Sequence, residues 1–225
     1  MIDLTGKVAF IANADHPAAA ACTGRLQAAG AKVCGAGSAS ADLAVDLDPY
    51  SPDSWDSAFD RCKTELGGLD VLVIPTGATA SEGILSLAPE DFVAAHRSLA
   101  VTAFLAQNRG ILAMRASGIE GAVIHILPAA ARAAAGDAAA ACTASAGILF
   151  SSKSAALECA KAKDGIVVNA ILAGPIEGEE PLNYGVPVDP VSPDDIASAV
   201  LFFAAEGAAY MTGMDLPVDN GLVAQ

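Results

Sequence analysis

Positive charge is scarce in this 225-residue chain. Twelve Lys and Arg stand against 26 Asp and Glu, a formal net charge of −14. That balance argues against a nucleic-acid ligand, because phosphate backbones demand Lys and Arg. After Lys163 there is no basic residue at all, while acids continue to Asp219. The plain reading of that half is a solvated acidic surface, and the sharper one is a face matched to a basic partner. Cysteine is present but unpatterned. Cys22, Cys34, Cys62, Cys142 and Cys159 form no CxxC and no zinc-ligand spacing, so reduced, mostly core cysteines are expected and no metal site. No uncharged apolar run reaches membrane-spanning length, since Arg132 and Asp137 interrupt Ala129–Phe150. Met1–Lys7 is neither basic nor apolar enough for a signal peptide. A soluble, cytoplasmic protein with no membrane partner is expected.

Apolar residues make up 53% of the chain and charged residues 17%. The first is ample for a core, and the second is low for a monomer with a fully wetted surface. Strand and helix signals alternate, with no internal repeat and no linker, so residues 1–225 read as a single α/β domain with a doubly wound, Rossmann-type parallel sheet. Val8–Ala12 is a short strand, and an Ala-rich helix runs from about Pro17 to Ala29, stopped by Gly30. Lys32–Ala36 is a second strand and Leu43–Leu47 a third. Only Gly37–Asp42 separate these two, too few for a crossover helix, so the crossover is read as shortened to a loop. Trp55, Phe59, Cys62 and Leu66 form a core stripe on a helix over Ser54–Leu66. Strands follow at Leu69–Ile74, Gly121–Leu127, Gly165–Leu172 and Asp215–Val218. Helices are expected over Pro89–Ala116, over Thr143–Lys163 and from Ser192 to about Ala205. The last has a Ser cap, a first-turn Pro and two early acids. Ala129–Ala141 reads as a tight Ala-rich loop. His125 reads as a packed side chain and Lys153 as a solvated one.

The motifs LTGKVAFIA, LDVLV, GAVIHI, Ala144-Ser145, VNAILAGPI and the tail SPDDIASAVLFFAAEGAAYMTGMDLPVDNG occur in the order of the short-chain dehydrogenase/reductase family. The chain resembles that family over nearly its whole length. The resemblance implies an NAD-dependent oxidoreductase in which a Tyr, its pKa lowered by a Lys four residues on, exchanges a proton with the substrate oxygen. It also implies a Ser that orients the substrate and an Asn that holds a water. Here the four positions read Cys142, Ala146, Pro128 and Leu99, and no tyrosine lies between Gln107 and Asn183. The cofactor positions are altered as well. The glycines of the first turn read Asn13, Pro17 and Ala19. The ribose-binding acid reads Gly37, and the adenine-side turn reads Ile74-Pro75-Thr76-Gly77. Asp46 is a possible remnant of the adenine-side acid, with a turn-capping acid as the plainer reading.

Glycines in such a turn let the backbone approach a pyrophosphate on a helix N-terminus. Pro17 has no N–H to offer. Pro17 and Ala19 are expected to occupy part of the pyrophosphate volume, and the replacements as a set to fill or dry the pocket. The resemblance thus implies a degenerate, non-catalytic member that binds no cofactor and is inactive alone. It would serve beside an active paralogue that holds NAD, in a heterodimer or heterotetramer. Family subunits pair through the long helix with the following one, and through the last helix with the last strand. The nearest known arrangement is a two-subunit family dehydrogenase of anaerobic toluene breakdown with one degenerate subunit. Two alternatives stand beside this. One is a homo-oligomeric pseudoenzyme that binds a ligand or regulates. The other is an active enzyme with Cys142 as nucleophile, for which only His125 and Lys153 could serve as basic neighbours.

Overall fold

Seven apolar runs hydrogen-bond side by side into one parallel sheet, ordered β3-β2-β1-β4-β5-β6-β7. The computed structural model describes residues 2–37, 40–77 and 82–224. The strands are β1 (Val8–Ile11), β2 (Lys32–Ala36), β3 (Leu43–Val45), β4 (Val71–Pro75), β5 (Ala122–Pro128), β6 (Val167–Ala173) and β7 (Asp215–Val218). All of β1, β4 and β6 is buried. Such runs have no polar face to give to water, which fits a sheet covered on both sides.

Six helices do the covering: α1 (Pro17–Ala28), α2 (Pro52–Leu66), α3 (Pro89–His96), α4 (Thr102–Ser117), α5 (Ala139–Ala162) and α6 (Pro193–Ala204). Alternate strand residues feed two cores. One holds Phe10, Leu72, Val123 and Val168 against Trp55, Phe59 and Met114. The other holds Ile11, Val73, Ile124 and Ile171 against Leu26, Ile196 and Phe203. Phe10, Trp55 and Phe59 form an aromatic trio with centroids 5.0–6.3 Å apart. Gly110 lets α4 approach β4, because a Cβ there would collide with Leu72. Ser192 and Asp195 exchange cap hydrogen bonds at the start of α6, a complete capping box.

The shortened crossover is present. β2 and β3 are parallel, Cys34 opposite Leu43, with six residues between them. Asp42 closes this connection, its carboxylate accepting from Val33 N–H at 2.7 Å and from the Gln27 side chain at 3.2 Å.

Three expectations need correction. The helix over Pro89–Ala116 is not uniform: a π turn, Arg97–Val101, separates α3 from α4. Helix α5 begins at Ala139, inside the segment expected to be loop. Alanine has the highest helix propensity, and Thr143 lies inside the helix instead of starting it. Its hydroxyl donates back to Ala139 and Ala140 carbonyls from within the helix. Lys153 is only partly solvated and not free. Its ammonium donates to Asp215 at 2.7 Å and to the Gly213 carbonyl at 3.0 Å, tying α5 to β7.

Candidate functional site

The C-terminal ends of β1, β2, β3 and β4 open onto a cleft of about 480 Å³. In a doubly wound sheet this edge is where ligands bind. The residues expected to fill the space do not. Asn13, Gly37, Asp46, Ile74, Pro75, Thr76, Gly77 and Leu99 line it and leave it open. Pro17 and Ala19 are not part of the lining. Ala19 is buried on the core side of α1 instead, packed in the second hydrophobic cluster. The reason is helical geometry: three positions into the helix, a side chain on the inner stripe meets the sheet, not the loop.

What occupies the helix start is His16, which composition gave no reason to single out. It caps α1, its Nδ1 accepting from Ala18 N–H at 3.2 Å. Ala19 N–H donates to the His16 carbonyl at 2.8 Å, and Pro17, the first helical residue, has no N–H. The first-turn donors that could face an anion are therefore used or missing. Burial holds His16 neutral, its pKa lowered to about 4. A neutral imidazole caps the helix where a diphosphate would need free N–H groups. The residues at this turn do not fit the diphosphate of a nicotinamide dinucleotide.

The cleft's polar groups include both acceptors and donors, since Asn13, Tyr50 and Thr76 line it as well. Asp46 is exposed and has no hydrogen bond or ion pair among the described residues. The Ser98 hydroxyl donates to the Ala95 carbonyl at 3.0 Å, and that of Thr102 to Ser98 at 2.7 Å. Each can then only accept from a ligand. Tyr50 stands at the rim with the Arg97 guanidinium 5.2 Å from its ring centre. Leu99 sits in the π turn, a widened turn of a kind frequent at functional sites.

The other half of the sheet edge is arranged differently. Pro128 ends β5, opposite Ala173 of β6. Cys142 and Ala146 lie on α5 and are half-buried, while Ala141 and Ser145, one position earlier, are fully buried. A step of one residue turns a side chain about 100° around a helix, so Ala141 and Ser145 form the inward pair. Whichever pair is taken, neither a phenol nor an ammonium is offered. The Ser145 hydroxyl is buried without a hydrogen-bond partner. Above this helix lies a small apolar cluster of Ala130, Ala138, Ala141 and Leu182, with Cys142 and Tyr184 packed against it. The loop that carries Leu182 and Tyr184 is fastened at two points. Gly136 pairs with Asn183, and Ile176 with Val191. Tyr184 is the one phenol brought near Cys142. Desolvation pushes its pKa up to about 12, only partly offset by a hydrogen bond from Ala130 N–H. That is the wrong direction for a proton shuttle at neutral pH.

His125 is packed, as expected. Its Nε2 lies 2.8 Å from Gln107 Oε1, and complete burial lowers its pKa to about 4. It is no activating neighbour for Cys142, since its ring faces α4. Lys153 is committed to Asp215. Among the described residues, no group of three or more His, Cys, Asp or Glu could hold a metal, and no helix is long and apolar enough to cross a membrane. All five cysteines are free, and four of them are buried.

The fold matches solved short-chain dehydrogenases closely. A short-chain type dehydrogenase/reductase from Mycobacterium marinum superposes with a TM-score of 0.85 over 99% of this chain and 97% of its own, at 24% identity. One from Bacillus anthracis gives 0.87 over 97% of each chain, at 21% identity. In sequence, the 3-oxoacyl-[acyl-carrier-protein] reductase FabG of Vibrio cholerae is 28% identical over 244 residues, covering 98% of this chain and 99% of the relative. The 3-oxoacyl-[acyl-carrier-protein] reductase MabA of Mycobacterium tuberculosis is 27% identical over 213 residues, covering 88% and 85%. A family model described as enoyl-(acyl carrier protein) reductase matches residues 12–223. With that match spanning the sheet from the end of β1 to beyond β7, the chain belongs to the short-chain dehydrogenase/reductase family.

Proposed function

We propose that this chain is a non-catalytic structural subunit of a hetero-oligomeric, NAD-dependent short-chain dehydrogenase. The partner subunit, an active paralogue, holds the NAD and oxidises a hydroxyacyl-CoA or a similar secondary alcohol. The observation that carries the reading is the inner face of α5. Below the loop 176–191 it presents Ala141 and Ser145, flanked by Cys142 and Ala146, where proton transfer needs a phenol and a cation. The capped start of α1 supports the same reading from the cofactor side. Exposed apolar residues supply the reason for a partner. Phe104, Leu112, Phe150 and Leu157 stand out of α4 and α5, and Phe202, Tyr210 and Met214 cluster around α6 and β7. Apolar faces on helices of this length mark association surfaces. The arrangement resembles the heteromeric 2-[hydroxy(phenyl)methyl]succinyl-CoA dehydrogenase of anaerobic toluene degradation, in which one subunit is degenerate.

The test is calorimetry of the purified chain with NAD⁺ and NADH, followed by native mass measurement with an active paralogue. Expected are no saturable heat and a mixed oligomer. A variant with glycine at Asn13, Pro17 and Ala19 is expected to remain without hydride transfer, since no proton carrier is restored. Turnover by the chain alone sinks the reading. A second reading is a homo-oligomeric pseudoenzyme that binds a ligand, and the open cleft beside Asp46 favours it. A purely homo-oligomeric native mass, with no exchange into a paralogue, would select that one.

A further inference from the structure

We infer that the cavity enclosed by α4, α5 and β5 is a binding site for a monocyclic phenol, whose ring fills the apolar space and whose hydroxyl donates to His125. The inference goes beyond the non-catalytic reading and stands independently of it. None of the altered catalytic positions Leu99, Pro128, Cys142 and Ala146 belongs to this lining.

Shape comes first. The two helices and the strand leave a space of about 220 Å³ between them. Its buried lining is Ala103, Gln107, His125 and Ile148, and its exposed lining is Phe104 and Gly147. The floor therefore lies on the sheet, and the mouth opens outward between α4 and α5. Small residues keep it clear. Ala103 offers one methyl, and a Cβ added at Gly147 would meet nothing within 4 Å. An apolar cavity of about 150 Å³ is enough to hold benzene, so a single ring with one substituent fits here.

The hydrogen bonds at the floor run in a fixed direction. Gln107 Nε2 donates to Ser151 Oγ at 3.5 Å, which leaves Gln107 Oε1 facing His125 Nε2 at 2.8 Å. An amide oxygen only accepts, so His125 Nε2 carries the ring proton. Burial keeps the ring neutral, its pKa lowered to about 4. Nδ1 is then a lone-pair acceptor, and it is buried without a hydrogen-bond partner. Such a group costs free energy unless a donor reaches it.

The ligand class follows from these two features together. Among the described residues the lining holds no Asp, Glu, Lys or Arg, so an ionised ligand finds no counter-charge. A lone water would satisfy Nδ1 but leave most of the apolar wall uncovered. A hydrocarbon would cover the wall and leave Nδ1 orphaned. A phenol does both, with one strong O–H donor on a flat apolar body. Its ring can also lie against Phe104 at the mouth, in the offset or edge-on contact that aromatic pairs favour. A ring seated there ties α4 to α5 along the face from which Phe104 stands out.

Titration calorimetry of the full chain with phenol and with benzene, the same ring without the donor, tests this. Phenol is expected to bind saturably at about 0.1–1 mM, and benzene about tenfold more weakly. In the chain carrying ¹⁵N-labelled histidines, phenol is expected to shift the Nδ1 resonance of His125, assigned by comparison with His16→Asn and His96→Asn. Gly147→Leu, which places a side chain at the mouth, is expected to weaken phenol at least about tenfold without lowering the thermal midpoint, since leucine favours a helix over glycine. The resonance shift is read in the unaltered chain, so it decides the matter even if that variant misfolds. Phenol without saturable binding overturns the inference. So does benzene binding as tightly as phenol, phenol binding that leaves the His125 resonance in place, or a folded Gly147→Leu that binds phenol undiminished.

Discussion

The two halves of the sheet edge are built in opposite ways. At β1–β4 the walls stand apart around a polar, open cleft, and the start of α1 beside it is capped by His16. At β5–β7 the buried face of α5 carries the small side chains of Ala141 and Ser145, and the loop bearing Leu182 and Tyr184 packs onto Ala141. Small residues close a site when a neighbouring loop can settle onto them. They leave it open when the walls are strands and helices that cannot move together. Substitution alone therefore does not tell whether a pocket is lost.

The largest effect that probes this contrast is acid sensitivity. Each half carries one buried neutral histidine, His16 in the first and His125 in the second, both with pKa lowered to about 4 by burial. In the unfolded chain these rings titrate near 6.5. Their contribution is complete above pH 6.5 and is lost as pH falls from there toward 4, because the unfolded state takes up protons first. The loss is on the order of 3 kcal/mol per histidine. Urea midpoints measured between pH 7 and 4 should show it. His16→Asn, which keeps a capping oxygen without a titrating group, should flatten the slope, and a slope unchanged in that variant would assign the acid loss to His125 alone.

Leu182→Ala comes second, at about 2 kcal/mol, the low end for a buried leucine whose surroundings can relax. It should also loosen the loop over α5, seen as faster proteolysis or hydrogen exchange near Asn183, and should leave exchange in the other half unchanged. Faster exchange in both would mean the halves are not independent. The smallest effect belongs to the surface. Asp56 and Arg109 form a bidentate pair between α2 and α4 under the open half. Asp56→Ala should cost about 0.2–1 kcal/mol in low salt and less in high salt, as thermal denaturation at two ionic strengths would show.

The strands were legible because a buried parallel strand is a short apolar run with no polar residue to confuse it, as in LDVLV and GAVIHI. Helix α6 was legible because Ser192, Pro193 and Asp195 each state a position in the cap. The Trp55, Phe59, Cys62 stripe followed from spacing alone. What stayed hidden depended on geometry that no local pattern encodes. His16 is an uncommon helix cap, and its role appears only once Pro17 is seen to begin the helix. The start of α5 was obscured because a run of alanines carries propensity but no boundary. The open cleft was unreadable because its volume is set by the distance between elements, not by which residues face it. The relay positions on α5 could be placed only to within one residue, and burial distinguishes Ala141 and Ser145 as the inward pair.

The widened turn at Arg97–Val101 has a further consequence for how the rod formed by α3 and α4 presents itself. A stripe counted forward from Phe92 in steps of four would run through His96 and Ala100 to Phe104 as one continuous ridge. The extra residue in the turn breaks that count, so the ridge changes heading midway. The turn itself then serves the cleft through Ser98 and Leu99, and α4 through Thr102 and Ala103, while Phe104 stands outward. Removing one residue from this turn would restore an ordinary i→i+4 turn and leave the downstream segment near its present heading, so the change would fall on Ser98 and Leu99, which line the cleft. A single-codon deletion there would thus reshape one wall of the cleft while the outward side of α4 stays where it is.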